Sequence, residues 1–149
     1  MTLLWSFVLA LHLIAATFWV GGQLMLVFVM MPVLRRTLES PALGQAATLA
    51  GRRFARVSNH GLFPTLVVTG VALAEHDGVR WSMLGSTGFT RVLVVKVVLV
   101  GIVITLALSH GVAARRLSRS GVRSLALVTV ALSVLIVALA AALAILPAP

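Results

Sequence analysis

The sequence predicts an all-α fold, an integral membrane four-helix bundle with up-down topology and both termini outside. Three observations lead there. Of 149 residues, 60% are hydrophobic and only 10% are charged, and the mean hydropathy is +1.13, far from the balance of a water-soluble domain. The apolar residues gather into four runs, approximately 3–34, 57–74, 92–114 and 124–146, each with about the 20 residues needed to cross roughly 30 Å of hydrocarbon. All of the twelve lysines and arginines but Lys96 lie outside these runs.

Each span is justified in turn. The first begins almost at Met1, with no charged leader before it and no small-residue cleavage site after a short apolar core, so it reads as a retained span. Arg35, Arg36, Arg52, Arg53 and Arg56 separate it from the second, and Arg115, Arg116, Arg119 and Arg123 separate the third from the fourth. Nine of the twelve basic residues thereby mark two cytoplasmic connections. The segment between the second and third spans carries Glu75, Asp77, Arg80 and Trp81, and it is expected outside, beside Trp5. Gly, Ala, Thr and Ser recur within the spans, as close helix packing in lipid favours. The fourth span has hydroxyls such as Thr129 and Ser133 but no ionisable group in its apolar interior, so it is expected to be a packing wall. One domain, residues 1–149, accounts for the whole chain.

Composition also removes several function classes. A pI near 12.0 suggests nucleic acid, yet the arginines flank spans and no aromatic-interleaved basic patch accompanies them. Anionic lipid is the expected partner, and nucleic acid is not. With no cysteine, disulfides, thiolate metal sites, iron–sulfur clusters and covalent c-type haem attachment are removed.

All four histidines and the single lysine lie in or at the edge of the spans. Ionisable groups are costly in hydrocarbon and are usually kept there because they ligate, pair or move protons. A rise of about 1.5 Å per residue sorts them into two levels. His60 and His110 lie roughly 6 to 8 Å inward from the cytoplasmic arginines, whereas His12, Lys96 and His76 lie roughly 28 to 35 Å from them. At about 100° per residue, Lys96 and His110 differ by about 40° and share a face of the third helix. His60 and His76 differ by about 160°, which sends His76 to the outer interface. His12, Trp19, Gln23 and Met30 form one stripe on the first helix, within about 20° of one another.

Small residues accompany these groups. Gly21 and Gly22 follow Trp19, Gly61 follows His60 and Gly111 follows His110. They would let a helix or a flat ligand approach closely. A bis-imidazole haem needs one histidine from each of two helices at matched depth, a property His60 and His110 share. Each group also has a plainer reading. Lys96 can snorkel to the interface, His12 can be a packing residue, and His60 and His110 can be interfacial. Met25, Met30 and Met31 offer soft sulfur to Cu(I), although methionine in a span more commonly packs.

The run His12-Leu-Ile-Ala-Ala-Thr-Phe-Trp19-Val-Gly21-Gly22, continuing to Pro32 and Arg35-Arg36, resembles the first helix of the CopD-type copper-resistance membrane proteins. The resemblance extends through Arg53-Phe54-Ala55-Arg56, Gly70 and the stretch from Arg91 to Lys96. A wider similarity takes in the HemJ-type protoporphyrinogen oxidases, four-helix membrane proteins reported to carry haem b. Their first-helix histidine, seven residues before a tryptophan, matches His12 and Trp19, and their essential third-helix lysine matches Lys96. After Gly22 this chain reads Gln-Leu-Met-Leu in place of the aromatic and arginine-rich continuation of the oxidases, so the resemblance does not carry their activity. It also lacks the transport region of long CopD proteins.

Three functions are expected from these readings. The first is a b-type haem protein, with His60 and His110 as axial ligands at an inner level and His12 with Lys96, Trp19, Gly21 and Gly22 at an outer haem or tetrapyrrole site. One or two haems would serve redox chemistry or electron transfer, with a redox partner or quinone. The second is copper handling, with His12 and the nearby methionines receiving Cu(I) from outside. The third is a noncatalytic bundle that stabilises a partner, including a second copy of the chain. The expected location is the bacterial inner membrane.

Overall fold

The computed structural model describes the backbone of residues 2–116 and 119–148, and their side chains other than those of residues 81, 110–116 and 119. It is helical almost throughout, with four helices long and apolar enough to cross a membrane. Helix α1 spans Leu3–Thr37 and α2 spans Ser40–His76. Helix α3 spans Gly88–Arg116 and α4 spans Arg119–Ile145. They run up and down, so the two termini share one end, and Arg35, Arg36, Arg52, Arg53, Arg56 and Arg123 lie toward the other.

The outside of this bundle is apolar: Phe7, Phe18, Phe28, Val68 and Val97 are all exposed. Helices that are hydrophobic around their whole circumference belong in lipid. The interior is small and centres on Trp19, Val20, Phe63, Val103 and Ile136, one cluster to which all four helices contribute. Trp19 meets Phe63 edge to face, with ring centroids 5.3 Å apart, a favoured aromatic geometry. The closest pairings are α1 with α2 and α3 with α4, and α1 also touches α4.

The first two helices outrun the spans read from hydropathy. At 35 and 37 residues, they extend for roughly 50 to 55 Å. The expected loop bearing Arg35, Arg36, Arg52, Arg53 and Arg56 is therefore mostly helix, and only Leu38 and Glu39 interrupt it. The residues from Ser40 to Val57 are polar on average but contain no breaker beyond Pro41. Proline is tolerated in that first turn, where its missing N–H has no partner to lose.

Both long helices contain a π-helical segment, Met25–Met30 in α1 and Ser58–Leu62 in α2. A proline follows each. A proline ring inside a helix collides with the carbonyl four residues earlier and supplies no N–H to it. For Pro32 that carbonyl belongs to Phe28, and for Pro64 to His60, both within the π segments. Widening the turn accommodates the proline without breaking the helix.

At the opposite end, Gly78 and Gly85 adopt positive φ of 81° and 82°, the left-handed region that glycine enters without penalty. They reverse the chain between α2 and α3. Helix α3 then starts on a reciprocal cap. Thr90 N–H donates to Thr87 Oγ1 at 3.2 Å, and Thr87 N–H donates to Thr90 Oγ1 at 3.1 Å. Two otherwise unpaired backbone donors are satisfied at once. Arg91 Nε donates to the Gly85 carbonyl at 2.8 Å and closes the turn.

Candidate functional site

The arrangement around His12 begins with Thr65 and Thr69, four residues apart and therefore on one face of α2. The Thr69 hydroxyl donates to the Thr65 carbonyl within the helix. His12 Nδ1 lies 2.7 Å from the same Thr69 oxygen. A hydroxyl has one hydrogen to give. With it committed to Thr65, the imidazole Nδ1–H is the donor to Thr69 Oγ1. That tautomer leaves the lone pair on Nε2, the nitrogen available to a metal or a proton.

The ring is also seated sterically. A Cβ on Gly70 would stand 3.2 Å from His12 Cε1, tighter than ordinary van der Waals contact. Gly70 is thus the flat bed on which the imidazole rests. Lys96, half-buried on α3, lies close enough for its charge to act on His12, and no carboxylate acts on Lys96 in return. Next to the His12–Thr69 pair is an open groove of about 300 Å³ lined by Leu11, Pro64, Thr65, Val68 and Thr69. One end of the bundle therefore offers an oriented imidazole, an uncompensated cation and an apolar groove.

The remaining predicted residues are distributed differently. Trp19 and Gln23 are buried on the expected stripe, but the π segment after Leu24 changes the helical phase before Met30 is reached. Gly22 does not lie open to a flat ligand: the Phe54 ring fills the position where its Cβ would be. Gly21 and Gly61 have open space beside them. His60 is exposed on the π segment of α2. The side chains of His110 and Gly111 lie outside the described residues, and with them the pairing of His60 with His110. His76 stacks on Trp5, with ring centroids 4.1 Å apart and planes at 13°, which joins the two helix ends at the boundary where indoles are favoured.

Met25 is exposed, and Met30 and Met31 are half-buried. The nearest of them is thirteen residues from His12, about 20 Å along the helix. Among the described residues, no group of three or more His, Cys, Asp or Glu side chains converges as a metal cluster would.

A second polar contact, about midway along the bundle, pairs residues that the sequence did not link. Ser133 on α4 is fully buried and donates to the Thr129 carbonyl at 2.7 Å, with Gln23 Oε1 3.3 Å away. The hydroxyls of span four are thus buried within its packing surface. On α2, Ser58 Oγ and Asn59 Oδ1 are buried with no hydrogen-bond partner among the described residues. The Thr65-x-x-x-Thr69-Gly70 spacing was the signal that could have revealed the partner of His12, since it puts two hydroxyls and a gap on one helical face. Ser58 and Asn59 gave no such signal.

No protein-family model, curated protein or solved structure matches the chain.

Proposed function

We propose that the chain is a b-type haem protein of the bacterial inner membrane, with both termini outside and its principal site at His12 near the outer face. The observation that carries this reading is the His12–Thr69–Thr65 relay. A histidine that ligates a metal almost always donates its other ring N–H to a hydrogen-bond acceptor, which fixes both tautomer and orientation. A packing role alone gives no reason to fix the tautomer through Nδ1 and keep the Nε2 lone pair as an acceptor in hydrocarbon.

The residues fit the group. The open groove beside Thr69 presents an apolar face of α2 to a flat ring, and Lys96, with no acid beside it among the described residues, suits the carboxylates that a haem carries. Haem bound there would supply one-electron redox chemistry. His12 would hold the iron, Thr69 would hold His12, and Lys96 would neutralise an acidic edge. The positive-inside asymmetry of the arginines supports the outward orientation. Copper handling has less support, because the methionines lie about 20 Å from His12 along α1.

The test is a reduced-minus-oxidised visible spectrum of the His12→Ala variant purified from haem-replete cells. Loss of at least one haem equivalent relative to wild type is expected. Undiminished haem content, with the same band positions, would remove His12 from the site.

A further inference from the structure

At the arginine end a cleft of about 600 Å³ opens between the end of α1 and the start of α4, lined by Arg35, Ser120, Arg123, Ser124 and Leu127. Its volume is in the range of small-molecule sites. Two guanidinium groups reach it from helices at opposite ends of the sequence. No carboxylate lines it, and the chain has only three acidic residues against a net charge of +9. The arginines thus converge on shared space without an internal counter-ion.

The chemistry of the lining specifies the ligand class. Arginine presents a planar fork of donors that matches two oxygens of a phosphate at once. The Ser124 hydroxyl adds a donor that can rotate to suit. Leu127 stands about one turn deeper than Arg123 on α4 and gives the cleft an apolar floor.

We propose that this cleft is a phosphate-binding site, in which Arg35 and Arg123 clamp a phosphate ester between α1 and α4. The clamp joins helices that otherwise touch little, and so ties the first hairpin to the second at the arginine end. The phosphate belongs either to an anionic lipid headgroup or to a soluble phosphate, and the chemistry of the clamp is common to both.

The full chain, freed of lipid in a neutral detergent, is titrated with dioleoylphosphatidylglycerol in mixed micelles, and the adducts are counted by native mass spectrometry. Dioleoylglycerol serves as the lipid without phosphate, and inorganic phosphate as competitor. Wild type is expected to retain phosphatidylglycerol and not diacylglycerol. Arg35→Gln and Arg123→Gln should each weaken retention about tenfold, the size of a lost charge-assisted contact. Arg80→Gln, remote from the cleft, should leave it unchanged. Displacement by inorganic phosphate would show that the site takes a soluble phosphate, and resistance to it would show a lipid headgroup; both support the clamp. Retention in R35Q and R123Q equal to wild type, or equal retention of diacylglycerol, would overturn it. Should the glutamine variants aggregate, Leu127→Trp fills the floor with both arginines in place, and retention unaffected by that change would overturn the proposal equally.

Discussion

Helices α1 and α2 meet along their whole length, yet the two ends of that contact handle polar groups in opposite ways. Toward the termini, His12, Thr69 and Thr65 form a closed chain in which each hydrogen has an acceptor. Toward the arginines, Ser58 and Asn59 present buried oxygens with no partner among the described residues, while His60 beside them is exposed. The histidines at the two ends are both intramembrane imidazoles followed by arrangements of small residues, but only His12 is oriented by its neighbours. The difference lies in the backbone. The His12 end of α2 is regular α-helix, where residues four apart share a face; the His60 end is π-helix, imposed by Pro64, where that spacing fails.

The contrast can be broken first at Thr69. Thr69→Val preserves the shape of the side chain and removes the acceptor of His12 Nδ1. Loss of such an outer partner typically costs 10- to 100-fold in metal affinity, so haem retention during dilution should fall by about that factor. His60→Ala should change retention at this site very little, because His60 belongs to the other level. Equal losses in T69V and H60A would erase the distinction between the two ends.

A smaller effect is expected at the glycine pair. Gly22→Ala drives a methyl into the Phe54 ring, whereas Gly21→Ala meets nothing within 4 Å. Overpacking of this kind costs about 1–3 kcal/mol, which should appear as a lower melting temperature in detergent for G22A than for G21A. Phe54→Leu in the G22A background should recover part of the loss. Indistinguishable melting of the two alanine variants would contradict the packing described for α1 and α2.

The smallest effect is expected at Ser58. Removing a buried hydroxyl that has no partner among the described residues relieves a desolvation cost, so Ser58→Ala should be neutral or stabilising by up to about 1 kcal/mol. Thr69→Ala, which breaks a closed chain, should destabilise by about that amount or more. If S58A proved as harmful as T69A, the hydroxyl of Ser58 would have a partner after all.

Much of this was legible in the residues. Four spans, the clustering of arginine at one end and the placement of His76 near Trp5 follow from hydropathy, charge and rise per residue, because lipid admits few alternatives to a helix. The stripe from His12 through Trp19 to Gln23 also follows, since α1 is regular over that interval. The reading lost accuracy where it assumed that regularity continued. Pro32 and Pro64 were visible in the sequence, and a proline within a span predicts a local change of turn. Without that step, Met30 was placed on the His12 stripe. At Gly22 the sequence left two approaches open, a helix or a flat ligand, because a missing Cβ shows that something comes close and not what; here it is Phe54 of the neighbouring helix. The contact between Gln23 and Ser133 joins residues 110 positions apart, and no local pattern encodes it.

The central claim is that the oriented imidazole of His12 serves a haem, and the most direct test is the wild-type protein itself. A reduced-minus-oxidised spectrum, with iron measured on the same sample purified in mild detergent from haem-replete cells, should show a Soret band that sharpens and shifts on reduction and at least one iron per chain. A colourless protein that also fails to take up added haem, with neither iron nor a Soret band, would contradict the account and leave the His12–Thr69 pair as a packing contact between two helices.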